Sequence, residues 1–122
     1  MRSFSFENLV VWQKSKDLAK DIYGATKSFP KEELYGLTSQ LRRAAVSISS
    51  NLAEGTSRET SGDKARFSTI AYSSLMETLN HLIIAKELNY ISESDYLILR
   101  KQIEEIGRML NALKKQQKGQ QK

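Results

Sequence analysis

Leu37-Thr38-Ser39-Gln40-Leu41-Arg42-Arg43-Ala44-Ala45-Val46-Ser47-Ile48-Ser49-Ser50-Asn51-Leu52-Ala53-Glu54-Gly55 is the stretch whose reading decides the fold class. With Leu34 before it, Leu37, Leu41, Ala44, Ala45, Ile48 and Leu52 recur at the spacing of one helix face. A strand alternates with a period of two and does not produce that pattern. The spacing predicts a helix over residues 32–54, with Gly55 as the residue just beyond its C-terminus. Gly36 sits near the start and is expected to separate or kink the first turn.

Outward from this helix, breakers are few. Pro30 is the only proline, and no alternating run bounded by turn residues occurs anywhere. Upstream, Val11, Trp12, Ser15, Leu18, Ala19, Ile22, Thr26 and Phe29 fall on one face and predict a helix over residues 8–28, stopped by Pro30. Downstream, Phe67, Ile70, Ala71, Ser74, Leu75, Thr78, Leu82 and Ala85 predict a third helix over residues 63–88, with Thr60-Ser61-Gly62-Asp63 as its capping sequence. After a tight turn at Asn89-Tyr90, and a cap at Ser92 or Ser94, Tyr96, Leu99, Ile103, Ile106, Leu110 and Leu113 predict a fourth helix over residues 93–113. Residues 114–122 hold only Lys, Gln and Gly and are expected to form a flexible tail. Short connections force neighbouring helices to be antiparallel. The expected architecture is all-α, a single-domain, up-down-up-down four-helix bundle over residues 1–113.

Composition narrows the function classes. The 122 residues are 39% hydrophobic and 27% charged, contain no cysteine, and carry a formal net charge of +5. Absence of cysteine excludes disulfides and thiolate metal sites. The N-terminus lacks an apolar leader segment, and no run of about eighteen apolar residues exists. The expected address is the cytosol, with no membrane partner. Gly-x-Ser-x-Gly and glycine-rich phosphate loops are absent, and His81 is the single histidine. Glu77 and His81 stand four residues apart and could share a helix face, but the Glu-x-x-His motif repeated on two helices, and the remaining carboxylates of a di-metal bundle, are missing. A protein without cofactor or catalytic residues is expected.

Three groups of residues remain. Gln40, Ser47, Asn51 and Glu54 project about 80–140° to one side of Leu41. Joined by Glu77 on the third helix, they form a polar column that either fixes helix or subunit register through hydrogen bonds or lines a polar groove for a ligand. Tyr72, Met76, Leu79 and Ile83 make a second apolar stripe on the third helix, and Val46 lies among polar residues on the second. Such a surplus predicts self-association. Finally, Arg42, Arg43, Arg58, Arg100 and Arg108 supply guanidinium forks suited to phosphate oxygens, which makes RNA or DNA a candidate partner.

The run Tyr35 through Ile48, continuing through Asn51-Leu52-Ala53-Glu54-Gly55, resembles the signature of the four-helix-bundle family encoded in intervening sequences of bacterial 23S ribosomal RNA genes. Leu9-Val10-Val11-Trp12-Gln13-Lys14, Phe29-Pro30 and Leu88-Asn89-Tyr90-Ile91 are similar as well. Tyr72-Ser73-Ser74 departs from the pattern, which often has a glycine before the serine. The resemblance implies a ring-like homopentamer. It also implies kinship with the accessory variability protein of diversity-generating retroelements, which binds nucleic acid and a reverse transcriptase. The resulting expectation is a non-catalytic oligomeric adaptor for RNA, DNA or a nucleic-acid enzyme. The alternative is a scaffold whose apolar grooves accept a partner helix, with charge serving solubility.

Overall fold

A computed structural model of the protein describes residues 1–119, and these form four helices: α1 (Val10–Thr26), α2 (Leu37–Thr56), α3 (Ser61–Glu87) and α4 (Glu93–Gly119). Short 3-10 turns at Ser5–Asn8 and Lys31–Glu33 precede α1 and α2. Consecutive helices pack on one another, and α4 closes the bundle against α1. Contacts across each seam run antiparallel. Arg42 reaches back to Thr26, Ser47 meets Ser74, Gly107 faces Leu75, and Lys14 pairs with Glu105.

The predicted apolar stripes converge on one core, except that Ile70, placed on the core face of the third helix, is exposed. Leu18, Ile22, Leu41, Ile48, Leu75, Leu82, Ile103, Ile106 and Leu110 are all less than 2% exposed. Burial of each such side chain contributes about 1.5–3 kcal/mol. The caps follow the sequence reading. Thr60 Oγ1 accepts from Asp63 N–H at 3.1 Å to open α3, and Ser92 Oγ accepts from Asp95 N–H at 3.1 Å to open α4. At the end of α3, Asn89 adopts φ 62°, and Tyr90 N–H closes back on Ala85 O at 2.9 Å. That is the left-handed residue and long-range backbone bond of a helix-terminating Schellman turn.

Four boundary expectations are corrected. Helix 1 starts at Val10 and stops at Thr26, because residues 5–8 wind as a 3-10 turn and the chain after Thr26 closes by shorter-range bonds, Lys27 N–H to Gly24 O and Phe29 N–H to Thr26 O. Leu34 lies outside α2 and is 47% exposed, because Gly36 (φ −116°, ψ −114°) interrupts the chain before Leu37. Gly55 does not follow α2; it is buried within it, where an added Cβ would sit 2.9 Å from Phe67 Cβ. Its role is close approach of two helices, not a left-handed cap. Helix 4 does not end near Leu113 but continues through Gly119, since Lys and Gln propagate a helix well and Ser68 Oγ donates to Gln117 Oε1 at 2.7 Å. The rest of the expected tail, residues 120–122, lies outside the described residues.

Candidate nucleic-acid interface

The close seam at Gly55 positions the most cationic part of the molecule. With no Cβ in the way, α3 approaches α2 and Phe67 is buried at the junction, 6% exposed. The Arg58 guanidinium lies 4.6 Å and the Arg66 guanidinium 4.8 Å from the Phe67 ring centroid. Attraction to the ring quadrupole steadies both cations and leaves the Arg58 N–H donors without an acidic partner among the described residues. Arg66 also lies 3.6 Å from Asp63. Lys64 stands in the first turns of α3, and the last turns of α4, tied to α3 by the Ser68–Gln117 bond, bring Lys114, Lys115 and Lys118 to the same end. These six cations share the end with the carboxylates of Glu7, Glu54, Glu59 and Asp63, of which Asp63 lies beside Arg66.

The opposite end has the reverse balance. Lys27, Lys31, Arg42 and Lys86 are outnumbered by Asp21, Glu32, Glu33, Glu87, Glu93 and Asp95, and Lys86 is paired with Glu93 at 3.4 Å. The bundle is therefore polarised along its axis. Sequence reasoning selected Arg58 but missed the α4 lysines by assigning them to a tail. The signal for them was the run of good helix formers beyond Leu113.

The five arginines predicted to contact phosphate are not brought together. Arg42 is half-buried in the α1–α2 seam, where Nε donates to Thr26 Oγ1 at 2.8 Å and the guanidinium lies 4.6 Å from the Tyr23 ring centroid. Arg100 donates to the Tyr96 hydroxyl at 2.6 Å and to Glu104 at 3.4 Å, and the Tyr96 bond raises its already high pKa further. Arg43 is exposed beside the α2–α3 groove, Arg108 is exposed on α4, and Arg58 occupies the basic end.

The polar column lies along the α2–α3 seam. Ser47 and Ser74 share a hydrogen bond of 2.8 Å, and Asn51 Nδ2 donates to Ser47 O at 2.8 Å and to Ser47 Oγ at 3.0 Å. On α3, the buried His81 ring meets Glu77 Oε2 at 3.2 Å through Nε2. Gln40, Arg43, Ala44, Ser47 and Glu77 line an open cleft of about 440 Å³ in this seam. Glu54 is exposed further along it.

The apolar surplus is divided. Tyr72 and Leu79 are half-buried against the core, whereas Met76, Ile83 and Val46 are 37–40% exposed. Tyr72 packs toward Gly107 of α4, so the stripe it shares with Met76 and Ile83 lies on the α4 flank of α3. Val46 borders Tyr23 and Ala19 of α1, on the other side of the bundle.

Fold and surface together define an antiparallel four-helix-bundle protein with one basic end. The chain belongs to the family described as 23S rRNA-intervening sequence protein, which it matches over residues 7–112. It is similar to the crystal structure of a protein of unknown function from the S23 ribosomal protein family of Bacteroides thetaiotaomicron VPI-5482. That superposition has a TM-score of 0.78 and 23% identity, and covers 86% of this chain and 98% of the other. At that identity the likeness shows the fold alone. No curated protein matches the chain. No helix among the described residues is long and apolar enough to cross a membrane.

Proposed function

We propose that this chain is a non-catalytic, self-associating binding protein that holds RNA or DNA by its phosphate backbone at the basic end of the bundle. The observation that carries this reading is the pair of guanidinium groups held over Phe67, with four lysines of α3 and α4 at the same end. Cations fixed by packing lose little freedom on meeting phosphates, and binding releases counterions from the nucleic acid. Self-association multiplies such a surface. Met76 and Ile83 on one side, and Val46 on the other, supply the two unlike patches that a closed ring joins from copy to copy.

The test is charge reversal. Arg58→Glu with Arg66→Glu is expected to weaken binding of a fluorescent single-stranded RNA at least tenfold, whereas reversal of Glu87 and Glu93 at the other end leaves it unchanged or tighter. Equal affinities for parent and the first variant would remove the basic end from the account.

A second reading rests on a different observation. Leu9, Val10, Val11, Met109, Ala112 and Leu113 line a mainly apolar groove of about 430 Å³ between α1 and α4. A partner protein's helix fits such a groove through residues at i, i+3 and i+4. Val10→Asp would then abolish partner recovery while RNA affinity stayed intact.

A further inference from the structure

We infer that the α2–α3 cleft is a base pocket that selects an unpaired guanine, an inference that rests on the nucleic-acid reading above and deepens it. Arg43 and Glu77 line this cleft from different helices, yet no ion pair forms between them, and Arg43 makes no hydrogen bond or ion pair among the described residues. Opposite charges that line one cleft without pairing are both satisfied by a ligand that presents acceptors to one and donors to the other. The Glu77 carboxylate is oriented by the buried His81 ring at 3.2 Å while its side chain remains 56% exposed, so it is fixed and still open to a ligand. Ser47 is held by Ser74 and Asn51, and Ala44 gives the wall a small apolar surface. Gln40 adds an amide with no hydrogen-bond partner among the described residues.

Guanine carries the two kinds of edge that these groups recognise. Its O6 and N7 are adjacent acceptors that an arginine fork meets, and its N1–H and N2–H are adjacent donors that one carboxylate accepts. Adenine presents a donor where guanine has O6 and lacks the paired N1–H and N2–H donors, so it leaves both charges poorly served. Uracil and cytosine offer no N7 acceptor. The cleft is far larger than one base and admits the attached ribose. Its openness to solvent suits a base splayed from a single strand, where the edges that pairing would occupy are free.

The experiment uses the full chain and two labelled twelve-residue RNAs, one all-uridine and one with a single central guanosine, with guanosine and adenosine monophosphates as competitors. A preference of about tenfold for the guanosine strand is expected, from the usual worth of one bidentate base contact. Glu77→Gln, which keeps the side-chain shape and an acceptor for His81, is expected to bring that preference to within twofold while all-uridine binding stays intact. Arg43→Gln should likewise bring the preference to within twofold, with any loss of general affinity shared equally by the two strands. Helix content checked by circular dichroism excludes unfolding as the cause. Equal affinity for the two strands, with salt-dependent binding retained, would overturn the guanine pocket and leave the proposed function standing. If neither strand binds, the proposed function fails. The monophosphates then decide the pocket separately: shifts of Ser47 and Glu77 resonances with the guanosine nucleotide alone support it for a free ligand, and their absence overturns it.

Discussion

Tyr90 donates its hydroxyl to the Glu33 carboxylate at 3.0 Å, joining the α3–α4 turn to the segment that leads into α2. The other oxygen of the same carboxylate accepts Leu37 N–H at 3.1 Å and so closes the first turn of α2. One side chain thus holds together two connections that lie far apart in the chain. Phe29, whose ring centroid lies 5.6 Å from that of Tyr90, packs beneath them.

This contact predicts a pH dependence. The hydrogen bond to Glu33, then burial, then the charges of Glu33 and Glu32 raise the Tyr90 pKa above its usual 10.0. A raised folded-state pKa gives stability that is complete below pH 10 and is lost as pH rises through the folded value. Urea midpoints measured from pH 8 to pH 11 should therefore fall less steeply for Tyr90→Phe than for the parent. Parallel curves would show that the bond carries no linkage.

Two glycines in helices should respond oppositely to alanine. At Gly55 the new Cβ meets Phe67 Cβ at 2.9 Å, an overpacking that costs about 1–3 kcal/mol, offset in part by a helix-propensity gain of about 1 kcal/mol. At Gly24 nothing lies within 4 Å, so only the propensity gain remains, about 0.5–1 kcal/mol. Chemical denaturation should show Gly24→Ala stabilised and Gly55→Ala destabilised.

Thr38 is buried in the first turn of α2, and its hydroxyl has no hydrogen-bond partner among the described residues. Thr38→Val keeps the shape and removes the unpaired group. A gain of about 1 kcal/mol in unfolding free energy is expected, and a loss would mean that the hydroxyl is satisfied in solution.

The apolar flank of α3 should divide along its burial. Met76→Glu or Ile83→Glu is expected to lower the sedimentation coefficient at micromolar concentration with helix content retained. Leu79→Glu, packed against the core, should instead reduce helix content. If Met76→Glu sediments as the parent does, that flank is not where copies meet.

The four helices and nearly all of the core were legible in the sequence, because each apolar stripe has the helical period and few residues interrupt it. Local ambiguities were not resolved so well. A glycine at the end of a stripe reads as a cap, so the packing role of Gly55 depended on knowing that Phe67 lies across from it. A Lys/Gln run without apolar residues reads as a fraying end, although those residue types extend a helix already anchored by Leu110 and Leu113. The site was the least legible part. Arg58, Arg66, Lys64 and the α4 lysines come from three separate segments, and only the antiparallel closure of the bundle gathers them. Arg42 and Arg100 show the converse, since charge alone does not reveal that a guanidinium is already engaged with Thr26 or Tyr96.

The affinity for a single-stranded RNA, measured by filter binding across a salt series, tests phosphate recognition by the basic end most directly. Engagement of four to six phosphates gives a plot of log K against log salt with a slope of about −3 to −5. A slope near zero, or no binding at low salt, would contradict it.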